Sequence, residues 1–241
     1  LIEPFTGSAA VFLNTDYEKY LLADDNLDLI DLYRQLVSEG EDFIQYCASL
    51  FIPVNNTANR YYALRKEFNE TSDKRRKAAL FLYLNRHCYN GLCRYNKQGK
   101  FNTPFGLYIN PKPPIKAMRG FIAAARNAKF MHAGFVATMK RARRGDVVYC
   151  DPPYAPLSRT ASFTDYHPGG FSWADQMLLA QMARKLADRG VGVVVSNHLT
   201  RETVRLYEDA GAKIKILQVQ RRISCVASQR VKADEILAVF S

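Results

Sequence analysis

Apolar positions along the 241-residue chain follow two rhythms, which change over near residues 38 and 128. Short apolar runs bounded by Gly, Pro or Asp predict strands at Leu1 to Phe5, Lys19 to Asp24, Asp146 to Cys150, Val191 to Ser196, Lys213 to Gln220 and Glu235 to Phe240. Helical spacing fills two of the intervals, Asn26 to Val37 and about Trp173 to Asp188. Strands alternating with helices imply a doubly wound, mostly parallel α/β sheet, and two strands in succession at the end predict an antiparallel edge hairpin. The middle differs. Residues 41 to 87 keep a helical period, as in Ala79, Leu82, Tyr83 and Arg86, and the turn Asn96-Lys97-Gln98-Gly99 predicts a β-hairpin after them. The expected organisation is a sheet domain of residues 1–38 and 128–241, split by a mainly helical insert of residues 39–127.

Charge sharpens that division. The net charge is +11, yet residues 1 to 42 carry ten acids against Lys19 and Arg34. Residues 60 to 119 carry fourteen Lys and Arg against Glu67, Glu70 and Asp73, a surplus as large as that of the whole chain. A basic insert of this kind points to a polyanion, most often nucleic acid. The run Lys74-Arg75-Arg76-Lys77 by itself reads as a solvated helix surface. No apolar run approaches the ~20 residues that span a bilayer. Five cysteines lie scattered without a C-x-x-C pair, so reduced thiols and no metal are expected. His87, His132, His167 and His198 do not cluster in sequence and read as structural or surface residues. The chain opens inside an apolar strand, and a segment upstream of Leu1 is expected.

Candidate chemistry concentrates in VYCDPPYAPL, residues 148 to 157. The two prolines lock φ and end the strand in a stiff turn, at the edge where α/β sheets hold ligands. An exocyclic amino group on adenine or cytosine is a poor nucleophile because its lone pair is delocalised into the ring. Accepting both of its N–H bonds localises that pair. Asp151 can accept one, the carbonyl of Pro152 the other, and Pro153 withholds an N–H that would compete for these acceptors. Tyr154 offers a face on which an extruded base stacks. A methyl donor needs a second site, and Glu3-Pro4-Phe5-Thr6-Gly7 follows an apolar strand where glycine admits a ligand close to the backbone. Asp24, at the end of the next strand, stands where an acid grips ribose hydroxyls.

Read together, EPFTGSAAVFLNTDY, LLADDN, NRHCYNGLCRYNKQGKFNTPFG, VVYCDPPYAPL and VVVSNH resemble the DNA adenine-N6 methyltransferases of the Dam type, of the α group, over essentially the whole chain. The resemblance implies a Rossmann-like methyltransferase fold, S-adenosylmethionine as cofactor, and the adenine of double-stranded GATC, turned out of the helix, as target. It implies that Glu3, Phe5, Gly7, Asp24 and Asp151 hold the cofactor and that Asp151, Pro152, Pro153 and Tyr154 form the catalytic motif. In the insert it implies base contacts from Tyr89, Asn90, Leu92, Arg94 and Asn96, with Arg94 reading a guanine, and a phosphate contact from Arg65. The implied partner is duplex DNA, with no membrane and no metal, and the implied state is a monomer in the bacterial cytoplasm and nucleoid, or phage-encoded in a bacterial host.

Three departures stand out. A family segment resembling FLKWAGGK is not present before Leu1, Ala9 replaces the second glycine of F-x-G-x-G, and Ala133-Gly134-Phe135 lacks the polar residue usual after the third strand. Two rival readings stay open at this stage. One is methylation of another amino group, such as cytosine N4 or RNA adenine. The other is a DNA-binding protein without catalysis.

Overall fold

The computed structural model describes residues 1–155, 171–219 and 233–241. In chain order the elements are β1 (Ile2–Glu3), α1 (Ala10–Leu13), β2 (Tyr20–Asp24), α2 (Leu27–Glu39), α3 (Glu41–Ala48), α4 (Ala58–Glu70), α5 (Lys74–His87), α6 (Ile115–Ala124), β3 (Ala128–His132) and α7 (Phe135–Met139). Then follow β4 (Val147–Cys150), α8 (Trp173–Ala187), β5 (Gly192–His198), α9 (Arg201–Asp209), β6 (Lys213–Val219) and β7 (Ala233–Phe240). The end of the strand expected to reach Gln220, and His167, lie outside the described residues.

The chain packs as two units, Leu1–Asp25 with Ala133–Ser241, and Asn26–His132. In the first, the strands run in the order β2-β1-β4-β5-β7-β6. The first four are parallel, and β7 is antiparallel to both of its neighbours. This is the mixed α/β sheet with an antiparallel edge that the patterning predicts. Strand β1 is shorter than expected, because Pro4 has no N–H to give to a ladder. Its Ile2 nonetheless pairs with Leu21 on one side and Val148 on the other. Buried valines of β4 and β5 meet Leu179 and Ala183 of α8, with Tyr207 of α9 and Phe240 of β7 completing the core. A capping box between Ser172 and Asp175 starts α8.

The second unit is built on α2 to α6 with β3 at its end. Long-range packing ties α2 and β3 into it. Tyr33 of α2 stacks on Phe121 of α6 with ring centroids 4.6 Å apart, and Arg34 donates to the backbone of Phe130 in β3. Helix α5 runs through the middle, with Ala79, Leu80, Tyr83 and Leu84 fully buried. His87 stacks on Tyr83 at 4.0 Å, and burial lowers its imidazole pKa, which makes it a core residue as expected.

The predicted hairpin is present only as two isolated antiparallel bridges, Cys88 with Phe105 and Tyr95 with Phe101. Side chains replace the missing ladder. Asn96 Oδ1 accepts from the backbone N–H groups of Gln98 and Lys100, both at 3.0 Å. Asn69 of α4 treats Phe101 as a neighbouring strand would. Its Nδ2 donates to the Phe101 carbonyl at 3.1 Å, and its Oδ1 accepts from the Phe101 N–H at 2.8 Å.

Part of the positive charge of this unit is tied up in ion pairs. Arg75 pairs with Glu39, Arg76 with Glu67, Lys77 with Asp28 and Arg119 with Glu41. The basic run of α5 is thus tied to acids, three of its four cations being paired.

Because Phe101 is buried, losing the Asn69 amide strands both of its backbone groups. Asn69→Ala is expected to destabilise the fold by about 1–3 kcal/mol, read as a lower urea midpoint with an unchanged slope. An unchanged midpoint would show that the amide does not replace a strand.

Candidate active site

Three parallel strands end on carboxylates. Strand β1 delivers Glu3, β2 delivers Asp24, and β4 delivers Asp151 immediately after Cys150. Glu3 is only 2% exposed, and its Oε1 takes no hydrogen bond among the described residues. Burial pushes its carboxyl up to about 7, partly offset by a bond from the Phe12 backbone and reinforced by the charge of Asp151. A buried acid left half-satisfied is the kind of group that a cationic ligand relieves.

The loop after β1 is tied to the end of β2. Thr6 N–H donates to the carbonyl of Ala23 at 2.9 Å, and Gly7 N–H donates to Asp24 Oδ2 at 3.0 Å. Gly7 has φ +47° and open space where a Cβ would stand, so ligand atoms can approach its backbone. Ala9 has φ 59°, a left-handed conformation that costs a non-glycine residue about 1 kcal/mol or more. It is fully buried and its N–H still closes the loop onto Thr6 at 2.7 Å. The alanine therefore keeps a glycine's conformation and does not reshape the loop. Half-buried Phe5 stacks on Phe135, centroids 5.5 Å apart, and Phe171 meets both. Where Ala133-Gly134-Phe135 lacks a polar group it supplies an aromatic wall instead.

Asp151 is exposed and Pro152 buried. Ser196, on β5, places its hydroxyl 2.8 Å from Asp151 Oδ1 and 3.2 Å from the Cys150 carbonyl. One carboxylate oxygen of this exposed residue is thereby steadied. The Pro153 carbonyl accepts from Gln176 Nε2 at 3.1 Å. No donor among the described residues takes the carbonyl of Pro152. Tyr154 donates to Glu235 at 3.2 Å, and its ring meets His198 edge-on at 4.8 Å. Burial pushes its phenol well above the ordinary range, as do the charges of Asp151 and Glu235, so it stays a neutral face. Sequence reading singled out the Asp151–Tyr154 turn and read His198 as structural or surface, but assigned nothing to Ser196, Asn197, Gln176 or Glu235. VVVSNH, quoted only for resemblance, was the available signal: a polar triplet closing a buried valine strand has its polarity for a reason.

In the second unit the candidate nucleic-acid residues share one region. Tyr89, Leu92 and Arg94 are exposed. Asn90 has φ 52°, and its N–H donates to the Tyr108 hydroxyl at 3.1 Å. Arg94 Nε donates to Asn102 Oδ1 at 2.9 Å, which steadies the guanidinium by one edge and leaves both terminal nitrogens without a partner among the described residues. Arg65 is partly committed to structure, since its Nη1 donates to the carbonyls of Asn102 and Thr103. Asn96 spends its Oδ1 on the turn. Among the described residues no group of three His, Cys, Asp or Glu is placed to hold a metal ion, and no helix is long and apolar enough to cross a membrane.

Comparison with known proteins is consistent along the whole chain. Residues 1–224 match the model of the D12 class N6 adenine-specific DNA methyltransferase family. The chain is similar to the DNA adenine methylase of Escherichia coli, 47% identical over 240 residues, covering 100% of this chain and 86% of the relative. It is similar to that of Vibrio cholerae, 47% over 242 residues, with 100% and 87% covered. It is similar to that of Serratia marcescens, 48% over 241 residues, with 100% and 88% covered.

Glu3 also makes stability depend on pH. Its folded-state value of about 7 lies above the unfolded 4.5, so the native protein binds the proton more tightly and loses stability as pH rises between them. Glu3→Gln lacks this loss. Its melting temperature relative to the parent should therefore rise from pH 4.5 to pH 8, in thermal melts of both proteins without ligand. A difference that does not grow with pH would refute burial of the charge as the cause.

Proposed function

The chain belongs to the D12 class of N6 adenine-specific DNA methyltransferases and is an enzyme of that class, and on that premise we propose that it methylates adenine N6 in double-stranded GATC, using S-adenosylmethionine and a target base turned out of the duplex. The observation that carries this reading is the Asp151–Tyr154 turn, with Asp151 steadied by Ser196 and the Pro152 carbonyl left available.

The cofactor residues fit a cationic nucleoside. Glu3 offers a buried carboxylate oxygen without a partner, Gly7 an open backbone, Asp24 an acid beside it, and Phe5 with Phe135 an aromatic wall. Bound there, S-adenosylmethionine supplies an electrophilic methyl group on a sulfonium sulfur. The protein's own part is to raise the nucleophile. The second oxygen of Asp151 and the carbonyl of Pro152 accept the two N–H bonds of the adenine amino group and localise its lone pair on nitrogen. With the donor bound, methyl transfer would form the N–CH3 bond as the S–CH3 bond breaks, and Asp151 would take the proton shed by the nitrogen and pass it to solvent. Tyr154, its ring held by Glu235 and His198, stacks on the extruded base.

Specificity is assigned to the second unit. Arg94 presents a guanidinium fork already steadied by Asn102, suited to O6 and N7 of guanine. Tyr89, Asn90 and Leu92 contact the site, Asn96 contributes its remaining amide group, and Arg65 offers its free edge to phosphate. The family match to adenine-specific DNA enzymes favours this target over cytosine N4 or RNA adenine. We place the enzyme in the bacterial cytoplasm, acting as a monomer on duplex DNA.

Asp151→Ala is expected to abolish methyl transfer while leaving DNA affinity largely intact, measured by single-turnover rate and by titration of a GATC duplex. Retention of more than about a tenth of the parent rate would sink the role of Asp151, since a positioned acid–base group contributes roughly 100-fold or more. Arg94→Ala should relax discrimination at one guanine by roughly 1–3 kcal/mol, whereas Arg65→Ala should weaken binding to all sequences alike and flatten its salt dependence. Equal losses on cognate and near-cognate duplexes for both variants would overturn the assignment of Arg94.

A further inference from the structure

The backbone from Asp151 to Ala155 has few soft dihedrals. Proline fixes φ at residues 152 and 153, and a following proline confines ψ of Asp151 and of Pro152 to the extended region. Among the dihedrals around the Pro-Pro step, ψ of Pro153 is not restricted by a proline ring, and it decides which way the carbonyl of Pro153 points. That carbonyl accepts from Gln176 Nε2 at 3.1 Å. The contact therefore fixes the chain direction directly after the Pro152 carbonyl, and the bonds to Ala155 fix the far end of the turn.

Gln176 is itself given no choice of orientation. It is 1% exposed, and its Oε1 accepts from Asn197 Nδ2 and from the Tyr207 hydroxyl, each at 3.0 Å. With its oxygen claimed by two donors, the amide must turn its nitrogen to Pro153. Asn197 is oriented in the same way, because its Oδ1 accepts from the N–H groups of Ala155 at 3.1 Å and His198 at 2.9 Å. The His198 ring bonds the carbonyl of Ala155 at 2.8 Å. Asn197 and Tyr207 are fully buried.

We propose that Gln176 is a positioning residue for methyl transfer, acting through the Pro153 carbonyl to hold the Pro152 carbonyl where it accepts from the target amino group. The proposal rests on the reading of Asp151–Tyr154 as the amino-methylating turn.

Gln176→Glu isolates the contact. The carboxylate still accepts from Asn197 and Tyr207 but cannot donate to Pro153 when ionised, and it donates again when protonated. At pH 8 the single-turnover rate on a GATC duplex should fall roughly 10- to 100-fold, the scale of loss from a misplaced reacting group, while the Kd values for duplex and for S-adenosylmethionine stay within about threefold. The deficit should shrink as pH is lowered. Gln176→Met, which fills the space without a donor, should show a similar deficit at every pH. A parent-like rate in either folded variant, or a Glu deficit that does not vary with pH, overturns the proposal. Loss of a cooperative melt in both variants also overturns it, since Gln176 is then structural alone. Asp151→Ala, run in parallel, separates the two levels. If that variant is active, the reading of the turn fails. If it is inactive and Gln176→Glu keeps the parent rate, only the role of Gln176 fails.

Discussion

Parallel pairing of β1 between β2 and β4 is the constraint on which the first unit's chemistry depends. Only Ile2 and Glu3 form this strand, yet Ile2 is in register with Leu21 on one side and Val148 on the other. Parallel neighbours must end at the same edge of a sheet, so Glu3, Asp24 and Asp151 are delivered together. Burial raises the pKa of Glu3, and the charge of Asp151 raises it further. In a chain of net charge +11 this edge is a local negative site. A positive group entering this edge would relieve the buried charge of Glu3.

The same accounting changes the reading of the basic insert. Its positive surplus is real as a sum, but helix α5 contributes little of it to any partner, because Glu39, Glu67 and Asp28 are bonded to its cations. Two of those acids come from the acidic beginning of the sequence, so the opposing charge blocks of the primary structure are partners in the fold. Lys74 and Arg86 of α5, and Arg94 beyond it, are not among those pairs. An ion pair on a protein surface is worth little to stability, so these pairs matter more for where positive charge is exposed than for holding the fold.

What the sequence made legible was whatever short-range chemistry dictates. Valine runs gave strands, the Pro-Pro step gave the rigid turn, and helical spacing gave α8 from about Trp173. What it concealed depends on partners distant in the chain. Helix α2 is held by partners distant in the chain, through the stacking of Tyr33 on Phe121, the Lys77–Asp28 ion pair and the bond from Arg34 to Phe130. The hairpin pattern was read correctly as a reversal, but Asn69, about thirty positions away, supplies the bonds that a ladder would have made. Gln176 sits within α8 at a position that reads as polar surface, because a side chain with no charge and no motif carries no local sign of burial. At Ala9, where the resembled motif has a glycine, the chain keeps a left-handed conformation, with the N–H bonded to Thr6 and the methyl group buried.

The buried amides beneath the Asp151 turn raise a last physical question, which is why polar groups stand there at all. Gln176, Asn197 and Tyr207 are bonded to one another and to the turn. Each neutral bond contributes only about 1 kcal/mol net, and apolar replacements of equal volume would be nearly neutral for stability if all partners changed together. The turn cannot change with them, because its carbonyls and N–H groups are backbone. A purely apolar floor would leave the Pro153 carbonyl and the Ala155 N–H without partners, at a cost of roughly 1–3 kcal/mol each, or would let the turn rotate to find water. The network is therefore the complement of a backbone that must be held dry and in one orientation. Its polarity follows from geometry required at the site, not from a need for stability in the core.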